Sequence, residues 1–352
     1  MKSFIVPLTL CLLLSVSCQN NRMKSEKAVY EGENISKEAS IIRDKESKAA
    51  SLTIRTNGKW TLYGGPSVEK IDFSHPVAEG ENSGTFALPV PDSVRSYFQL
   101  ITPAGKAILA ESHLPMSGGY NFRDLGGIRM SDGRYVKWGK IFRGDELHTL
   151  TDADLKYLSS IPLISVVDFR SEQEMKMTQD KNPPSVKKNY HYSINPGNLM
   201  EAASGIDPDR VTAHDMDSLM MALNRSLVTQ PESIERYKNF FDLLEDENQI
   251  PLLFHCTAGK DRTGMAAALV LYTLGADDET VMNDYLLSNR YLESKYGKLS
   301  EEYAALKPLL SVKPEFLRAG IDQIRKDHGS IDHFLRNILE VDLQKMKSMY
   351  LY

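Results

Sequence analysis

Cys256 and Arg262 are the two residues whose types and spacing are best suited to perform chemistry together. They lie six positions apart in the segment His-Cys-Thr-Ala-Gly-Lys-Asp-Arg-Thr-Gly at 255–264. A thiolate is a strong nucleophile, and a guanidinium can bind two oxygens of one phosphate in bidentate geometry. A loop that brings Arg262 back toward Cys256 would therefore direct a nucleophile and a cation at the same phosphorus atom.

The elements that flank this segment can position both groups. Residues 250–254 are an apolar run that predicts a buried strand, and residues 265–274 predict a helix. A cysteine between a strand and a helix N-terminus lies in a field of unpaired backbone N–H groups, which favours the thiolate and binds a dianion. We therefore expect a phosphate site lined by the loop residues Thr257, Ala258, Gly259, Lys260, Asp261 and Arg262.

The Cys-x5-Arg-Thr pattern resembles the signature of cysteine-dependent phosphatases, and the fuller loop resembles that of the bacterial atypical tyrosine/phosphoinositide phosphatases. Other parts of the chain are similar to elements of that family and follow in the expected order, so the resemblance covers about residues 114–352. It implies an α/β fold with a mostly parallel, protein-tyrosine-phosphatase-like sheet flanked by helices. The similar elements are at 121–127, 142–145, 167–170 with Glu174, and 284–289.

The residues of the loop predict a two-step transfer of phosphate. The Cys256 thiolate attacks phosphorus, and water then hydrolyses the phosphocysteine. We expect the Thr263 hydroxyl to donate to the sulfur as it leaves, and His255 to orient the loop through its ring hydrogen bonds. No metal and no cofactor are predicted for this reaction.

The leaving oxygen needs a proton from a carboxylic acid, and three aspartates are candidates. Asp261 lies in the loop, and the resemblance implies the acid role for it. Asp168 ends a predicted strand and could either be the acid or fix Arg262. Asp124, beside the possible supporting residue Arg123, is the third candidate, and the alternative for it is a turn or ion-pair residue.

Lys260 adds a second positive charge beside the predicted phosphate site. Resemblance to family members that handle phosphoinositides implies that it could contact an additional phosphate. The alternative is that Lys260 only supports the electrostatic field of the loop. The substrates considered are therefore phosphotyrosine-type proteins, phosphoinositides and inositol phosphates.

Other interpretations of the loop explain less of the sequence. A nucleotide P-loop would need glycine at Phe254 and serine or threonine at Asp261. A metal site at His255 and Cys256 would need further ligands, because adjacent side chains of a strand point to opposite faces. A sulfurtransferase would not explain why threonine follows Arg262. The alternative function that stays open is a surface-anchored binding protein with a vestigial phosphatase fold.

A separate small domain is predicted before residue 114. Period-two apolar runs separated by glycine, proline and asparagine predict an antiparallel, immunoglobulin-like β-sandwich over 49–113, as a binding module or a spacer. The segment 18–48 is predicted as a tether, and about 195–230 as a helical cap over the site, although the methionines there could be ordinary core. The runs of the sandwich lie at 52–54, 60–63, 68–73, 85–90, 97–101 and 108–110.

The N-terminus predicts export. Residues 1–17 contain Lys2 and a short apolar run, and Cys18 follows small residues as in a bacterial lipoprotein signal. We expect lipid attachment at Cys18 and a membrane-anchored protein in the periplasm or at the cell surface, and the alternative is an ordinary signal peptide cut near Ser17. The net charge of −5 offers no global positive field for nucleic acid.

Overall fold

The N-terminal module is a sandwich of two antiparallel sheets in the computed structural model, which describes residues 27–195 and 211–352. Its strands are β1 (Glu31–Gly32), β2 (Ala39–Arg43), β3 (Ala50–Ile54), β4 (Trp60–Gly65), β5 (Ala78–Gly80), β6 (Gly84–Ala87), β7 (Tyr97–Ile101) and β8 (Gly105–Leu109). One sheet has the order β1-β8-β7-β4-β5 and the other β2-β3-β6. Leu52, Trp60 and Phe98 are buried between them, so the predicted sandwich is present.

One boundary and one strand of this module differ from the prediction. The segment assigned to the tether contains β2, which pairs with β3 and buries Ala39 and Ile41, so the sandwich begins well before residue 49. Mixed charges around β2 concealed this short apolar alternation in the sequence. The predicted strand at 68–73 is wrong, because the chain forms a 3-10 turn at Val68–Lys70, where the Lys70 amide donates to the Ser67 carbonyl.

A five-stranded sheet forms the centre of the C-terminal domain. Its strands are β9 (Arg123–Asp124), β10 (Ile141–Gly144), β11 (Ser165–Asp168), β12 (Lys188–His191) and β13 (Leu252–His255). The order is β12-β11-β13-β10-β9, and only the pair β9–β10 is antiparallel. The mostly parallel sheet agrees with the prediction, and it places the end of β13 at the middle of the sheet edge.

Helices cover both faces of this sheet. Leu253 of β13 packs in the cluster that contains Leu158 of the first helix, whereas Leu252 and Phe254 pack in the cluster that contains Phe240. Alternation along the strand therefore produces two separate cores. The helices are α1 (Asp152–Ser160), α2 (Glu172–Met177), α3 (Ala213–Thr229), α4 (Pro231–Leu244), α5 (Arg262–Leu274), α6 (Asp278–Glu302), α7 (Lys307–Leu310), α8 (Pro314–His328), α9 (Ile331–His333) and α10 (Leu343–Tyr350).

Several predicted elements occur with shifted ends. A threonine cap with an aspartate three residues later predicts a helix over 151–158, and α1 begins directly after Thr151, whose hydroxyl accepts from the Asp154 amide in a capping box. A β-branched, apolar run predicts a strand over 136–142, but the observed strand is β10, because Gly139 has a φ of +74° and its amide donates to Asp124. Helix α5 begins three residues earlier than predicted, at Arg262 itself.

The region predicted as a cap lies partly outside the described residues, which omit 196–210. Its described part is α3, which packs against α8 and α5 and buries Met216 and Met220. These methionines are thus core residues. Within 27–195 and 211–352, no helix is long and apolar enough to cross a membrane.

Candidate active site

The segment 256–261 connects β13 to α5 at the carboxyl edge of the parallel strands. Cys256 is the first residue after β13, is 3% exposed and has a free thiol. Gly259 has a φ of +64°, and a Cβ at this position would lie 2.3 Å from the Gly144 carbonyl oxygen. A glycine is therefore required here for the loop to turn against β10.

Neighbouring groups bind the carbonyls of residues 257–259. The Asn121 side-chain amide donates to the carbonyls of Ala258 and Gly259 at 3.0 and 2.9 Å. Arg143 also donates to the Gly259 carbonyl at 2.8 Å, and the Glu146 amide donates to the Thr257 carbonyl at 3.3 Å. The amides of residues 257–261 donate to no acceptor in the described part of the chain. Bound carbonyls and free amides in one loop form a nest, an arrangement that can bind an anion.

Arg262 is held in place by Glu174. The Nη1 and Nη2 atoms of Arg262 each lie 2.8 Å from one oxygen of the Glu174 carboxylate, and Nη2 lies 3.3 Å from the Thr257 hydroxyl. Glu174 is the third residue of α2, and it also accepts from the Ser171 amide in a capping box. Burial alone would raise the pKa of Glu174, but Arg262 and the Thr257 hydroxyl outweigh burial and hold the pKa well below its usual range.

A buried charge network supports the loop from below. Asp284 on α6 binds Arg123 at 2.9 Å and Arg143 at 2.6 Å. Arg123 also donates to the side-chain oxygen of Asn121. Burial raises the pKa of Asp284, but the two arginines outweigh that effect and lower it. Arg123 thus supports the site through Asn121 and does not itself contact the loop.

His255 lies between oxygens on both sides of its ring. Its Nε2 atom is 3.1 Å from Asp180 Oδ2 and 3.9 Å from Asp168 Oδ1, while Nδ1 is 3.4 Å from the Cys256 carbonyl oxygen. Burial would lower the pKa of His255, but Asp168 and Asp180 outweigh burial and raise it. The ring therefore lies between the start of the loop and these carboxylates, and its orienting role stays a prediction.

Asp168 binds Arg170 rather than Arg262. Arg170 Nη2 lies 2.8 Å from Asp168 Oδ2 and 2.8 Å from Asp180 Oδ2. A cluster that could hold a cation is formed by Asp168, Asp180 and His255. The guanidinium of Arg170 already supplies the positive charge at this place. The residue that fixes Arg262 is Glu174, so that role predicted for Asp168 is wrong.

Asp180→Asn is expected to flatten the pH dependence of stability above neutral pH. The contact between Asp180 and His255 contributes to the raised pKa of His255 in the native state. The stability that this contact contributes is therefore complete below the ordinary histidine pKa of about 6.5, and it is lost as pH rises through the raised pKa. Urea unfolding across that range should show a steeper fall in the free energy of unfolding for wild type than for the variant. Equal slopes would contradict this account, and Asp132→Asn, in an exposed turn, is the matched control.

Among the candidate acids, the structure distinguishes Asp261 from the other two. One oxygen of Asp261 lies 2.7 Å from Lys260 Nζ, and the other has no hydrogen-bond partner within residues 27–195 and 211–352. Asp124 accepts from the Gly126 and Gly139 amides and pairs with Arg95 of the sandwich at 2.8 Å, which agrees with its alternative as a turn and ion-pair residue. Asp261 is thus the candidate acid that lies in the loop.

The remaining predicted residues fall into three groups. The Thr263 hydroxyl is buried at the start of α5 and makes no hydrogen bond in the described part of the chain, so its donation to sulfur stays a prediction. Lys260 is buried and pairs with Asp261. Cys18 and the signal 1–17 lie outside the described residues.

Sequence reasoning assigned no role to several residues that shape the site. A capping-box pattern at 171–174 could have indicated that Glu174 begins a helix, but not that it meets a residue 88 positions away. Only the fold brings the members of this set to the loop: Asn121, Arg143, Glu174, Asp180 and Asp284.

Comparison with known proteins finds related chains. The model of a family described as "Tyrosine phosphatase family" matches residues 114–352. The chain is 31% identical over 265 residues to a Cupriavidus necator protein whose name assigns it to the tyrosine-protein phosphatases, covering 71% of this chain and 92% of the relative. It is 25% identical over 289 residues to the triple specificity protein phosphatase PtpB of Mycobacterium tuberculosis, covering 69% of this chain and 100% of PtpB.

Among solved structures, the comparison matches the core catalytic domain of the S. cerevisiae PP-IP phosphatase Siw14. It aligns with 54% of this chain and 97% of its own at 13% identity and a TM-score of 0.27. The N-terminal sandwich lies outside the residues that the family model matches.

Proposed function

This chain belongs to the tyrosine phosphatase family and is a phosphatase, and we propose that it hydrolyses phosphate monoesters through a phosphocysteine on Cys256. The observation that carries the proposal is the nest of free amides at 257–261, which follows directly after Cys256 at the end of β13. Three equatorial phosphate oxygens need donors of this kind, because positioning and electrostatic stabilisation supply most of the catalysis in phosphoryl transfer.

The proposed reaction has two steps. Cys256 Sγ attacks phosphorus while the bond to the leaving oxygen breaks, and Asp261 gives that oxygen a proton. Water then attacks the phosphocysteine and gives a proton to the Asp261 carboxylate, the sulfur–phosphorus bond breaks, the Cys256 thiolate is regenerated, and inorganic phosphate leaves. Arg262, aligned by Glu174, stabilises the charge of the equatorial oxygens in both steps.

We propose phosphotyrosine-type proteins, phosphoinositides or inositol phosphates as the substrate class. Cys256 is buried, so the phosphate must enter the loop on a group that can reach below the surface. Lys260 supports a substrate with a further phosphate, since its ammonium lies beside the loop and is paired only with Asp261 among the described residues. The name of the relative PtpB, a triple specificity protein phosphatase, supports a site that accepts more than one class of substrate.

Phosphate release by the mature chain tests this function directly. Phosphotyrosine peptide, phosphoserine peptide, phosphoinositides and inositol hexakisphosphate would be compared in the presence of a chelator. We expect release to persist with the chelator and to be lost after iodoacetate alkylates the thiol. Inorganic phosphate added before iodoacetate should protect the thiol and preserve release. No release from any substrate would favour the alternative of a binding protein with a vestigial fold.

Asp261→Ala is expected to slow substrates with poor leaving groups by roughly 10²- to 10⁴-fold, the usual contribution of a general acid. Activated aryl phosphates, whose leaving oxygen needs no proton, should lose much less. The measurement is kcat for phosphotyrosine peptide and for a nitrophenyl phosphate. An equal loss on both would remove Asp261 from the acid role.

Lys260→Ala should separate substrates by their number of phosphates. If the ammonium contacts a second phosphate, kcat/KM will fall more for an inositol polyphosphate than for a nitrophenyl phosphate. The reason is that only the inositol polyphosphate loses a charge-assisted contact. The same fractional loss on both substrates would assign Lys260 to the field of the loop alone.

We further propose that residues 1–17 export the chain and that Cys18 carries lipid. The support is the sequence pattern of a charged residue, a short apolar run and small residues before the cysteine. Membrane fractionation of wild type and Cys18→Ser tests the anchor, and identical distribution of the two would contradict it.

A further inference from the structure

We infer that the N-terminal sandwich is a positioning element of the catalytic site, acting on residues 115–124, here called the linking segment. This goes beyond the proposed function, which needs only the C-terminal domain, although its test uses phosphatase activity as one readout. Both ends of the linking segment are bound by side chains of the sandwich, and its middle holds the phosphate-binding loop.

The hairpin between β2 and β3 binds the first half of the linking segment. Lys48 Nζ donates to the Pro115 carbonyl and, at 2.9 Å, to the Ser117 hydroxyl. Lys45 Nζ donates to the Gly119 carbonyl at 3.1 Å and lies 4.3 Å from the centre of the Tyr120 ring. Two lysines from one hairpin thus fix the backbone that leads directly into Asn121.

Arg95, which lies just before β7, binds the other end of the linking segment. Its Nη2 atom lies 2.8 Å from Asp124 Oδ2 and donates to the Glu111 carbonyl at 2.9 Å. Glu111 in turn binds Arg43 of β2 at 2.8 Å, and all four charged side chains are buried. A buried carboxylate without a partner is costly, so Asp124 depends on the sandwich for its charge partner.

The middle of the linking segment makes the contacts that shape the loop. The amides of Tyr120 and Asn121 both donate to Asp145 Oδ1, at 3.1 and 2.9 Å. The Asn121 side chain then donates to the Ala258 and Gly259 carbonyls. A displacement of the linking segment would release these carbonyls and disturb the amides that face the phosphate.

A spacer would not need this arrangement. A spacer requires only that the chain continue from one domain to the next. Here the sandwich makes one buried ion pair and several directed hydrogen bonds with residues near Asn121, whose side chain binds the loop. Misplacement of reacting groups by about 1 Å can cost roughly 10²-fold in rate, so loosening the linking segment should be visible in catalysis.

The test is the double variant Lys45→Met/Lys48→Met in the full chain, with Lys106→Met as control. Lys106 is a sandwich lysine in an exposed ion pair with Glu31, away from the linking segment. We expect the double variant to lose roughly tenfold in kcat/KM for a nitrophenyl phosphate and to bind tungstate more weakly, while the control matches wild type. Lys45→Arg/Lys48→Arg should restore most of the loss.

A double-mutant cycle with Asn121→Ala shows whether the effect passes through the linking segment. If it does, the lysine substitutions will have little further effect in the Asn121→Ala background, because coupled residues are not additive. Additive losses, or a double variant with unchanged kcat/KM and tungstate affinity, would overturn the inference. Lys45→Met alone keeps the test open if the double variant does not fold.

The failure of this inference can be told apart from failure of the proposed function. Wild-type chain that releases phosphate while the lysine variants match it would reject the positioning role and leave the phosphatase intact. Wild-type chain that releases none would reject the proposed reaction, and tungstate affinity of the variants would still report on the loop.

Discussion

Cys256→Ser should abolish phosphate release while leaving phosphate binding largely intact. The loss expected for a nucleophile that forms a covalent intermediate is roughly 10⁴- to 10⁶-fold in kcat, because a serine hydroxyl at this position has no adjacent base to activate it. His255 cannot serve as that base, since its Nε2 faces Asp180 and its Nδ1 faces the Cys256 carbonyl. The measurement is single-turnover release of phosphate.

Tungstate binding by the same variant supplies the control for Cys256→Ser. The free amides of 257–261 and the guanidinium of Arg262 remain in place, so affinity should stay within a few-fold of wild type. Release that persists in Cys256→Ser, with unchanged tungstate affinity, would show that another residue is the nucleophile. Loss of both would indicate a disturbed loop, which thermal unfolding would reveal.

Arg262→Lys should cost the second-largest factor, roughly 10³-fold or more in kcat, by analogy with arginines that stabilise phosphoryl-transfer transition states. Lysine retains the charge but cannot bind Glu174 and phosphate with a planar fork. The two Arg262–Glu174 contacts of 2.8 Å would be reduced to a single point contact. The measurement is kcat and tungstate affinity, which should both fall.

Arg318→Lys on the exposed face of α8 is the matched control for that substitution. Glu174→Gln is the companion variant, because it keeps the shape of the partner and removes its charge. We expect it to lose less than Arg262→Lys but to act on the same step. A wild-type rate in Arg262→Lys would contradict a bidentate role for this arginine.

The central strand, the loop and α5 could be predicted because their signals are local. An apolar run, two glycines and an apolar helix follow one another between 250 and 274, and the spacing of Cys256 and Arg262 lies within one loop. The capping pattern at Thr151 likewise predicted α1, since the contact that begins a helix spans only three residues. The separation into a β-rich module and an α/β domain was visible from hydrophobic periodicity alone.

The strand at 39–43 and the turn at 68–70 could not be predicted in the same way. Strand β2 is stabilised by pairing with β3 and by burial of alternate side chains, against a charged local sequence. The run at 68–73 is apolar enough for a strand, but β5 occupies the place beside β4. Strand formation depends on such non-local partners, so propensity decides it less often than it decides a helix.

The partners of the carboxylates were decided only by tertiary structure. Asp124, Asp168 and Asp261 are alike as residues, and sequence could only rank them. In the fold, Asp124 pairs with Arg95 and Asp168 pairs with Arg170. One oxygen of Asp261 has no hydrogen bond in the described residues. Glu174, assigned no role from sequence, is the residue that aligns Arg262.

The sequence by itself determined that Cys256 and Arg262 stand in one loop between a strand and a helix, because this depends on residue type and on contacts within a few positions. Tertiary structure decided how each aspartate is paired, what holds Arg262, and that the sandwich binds the linking segment. Those features join charges far apart in the chain, and a buried charge is stable only where the fold supplies its partner.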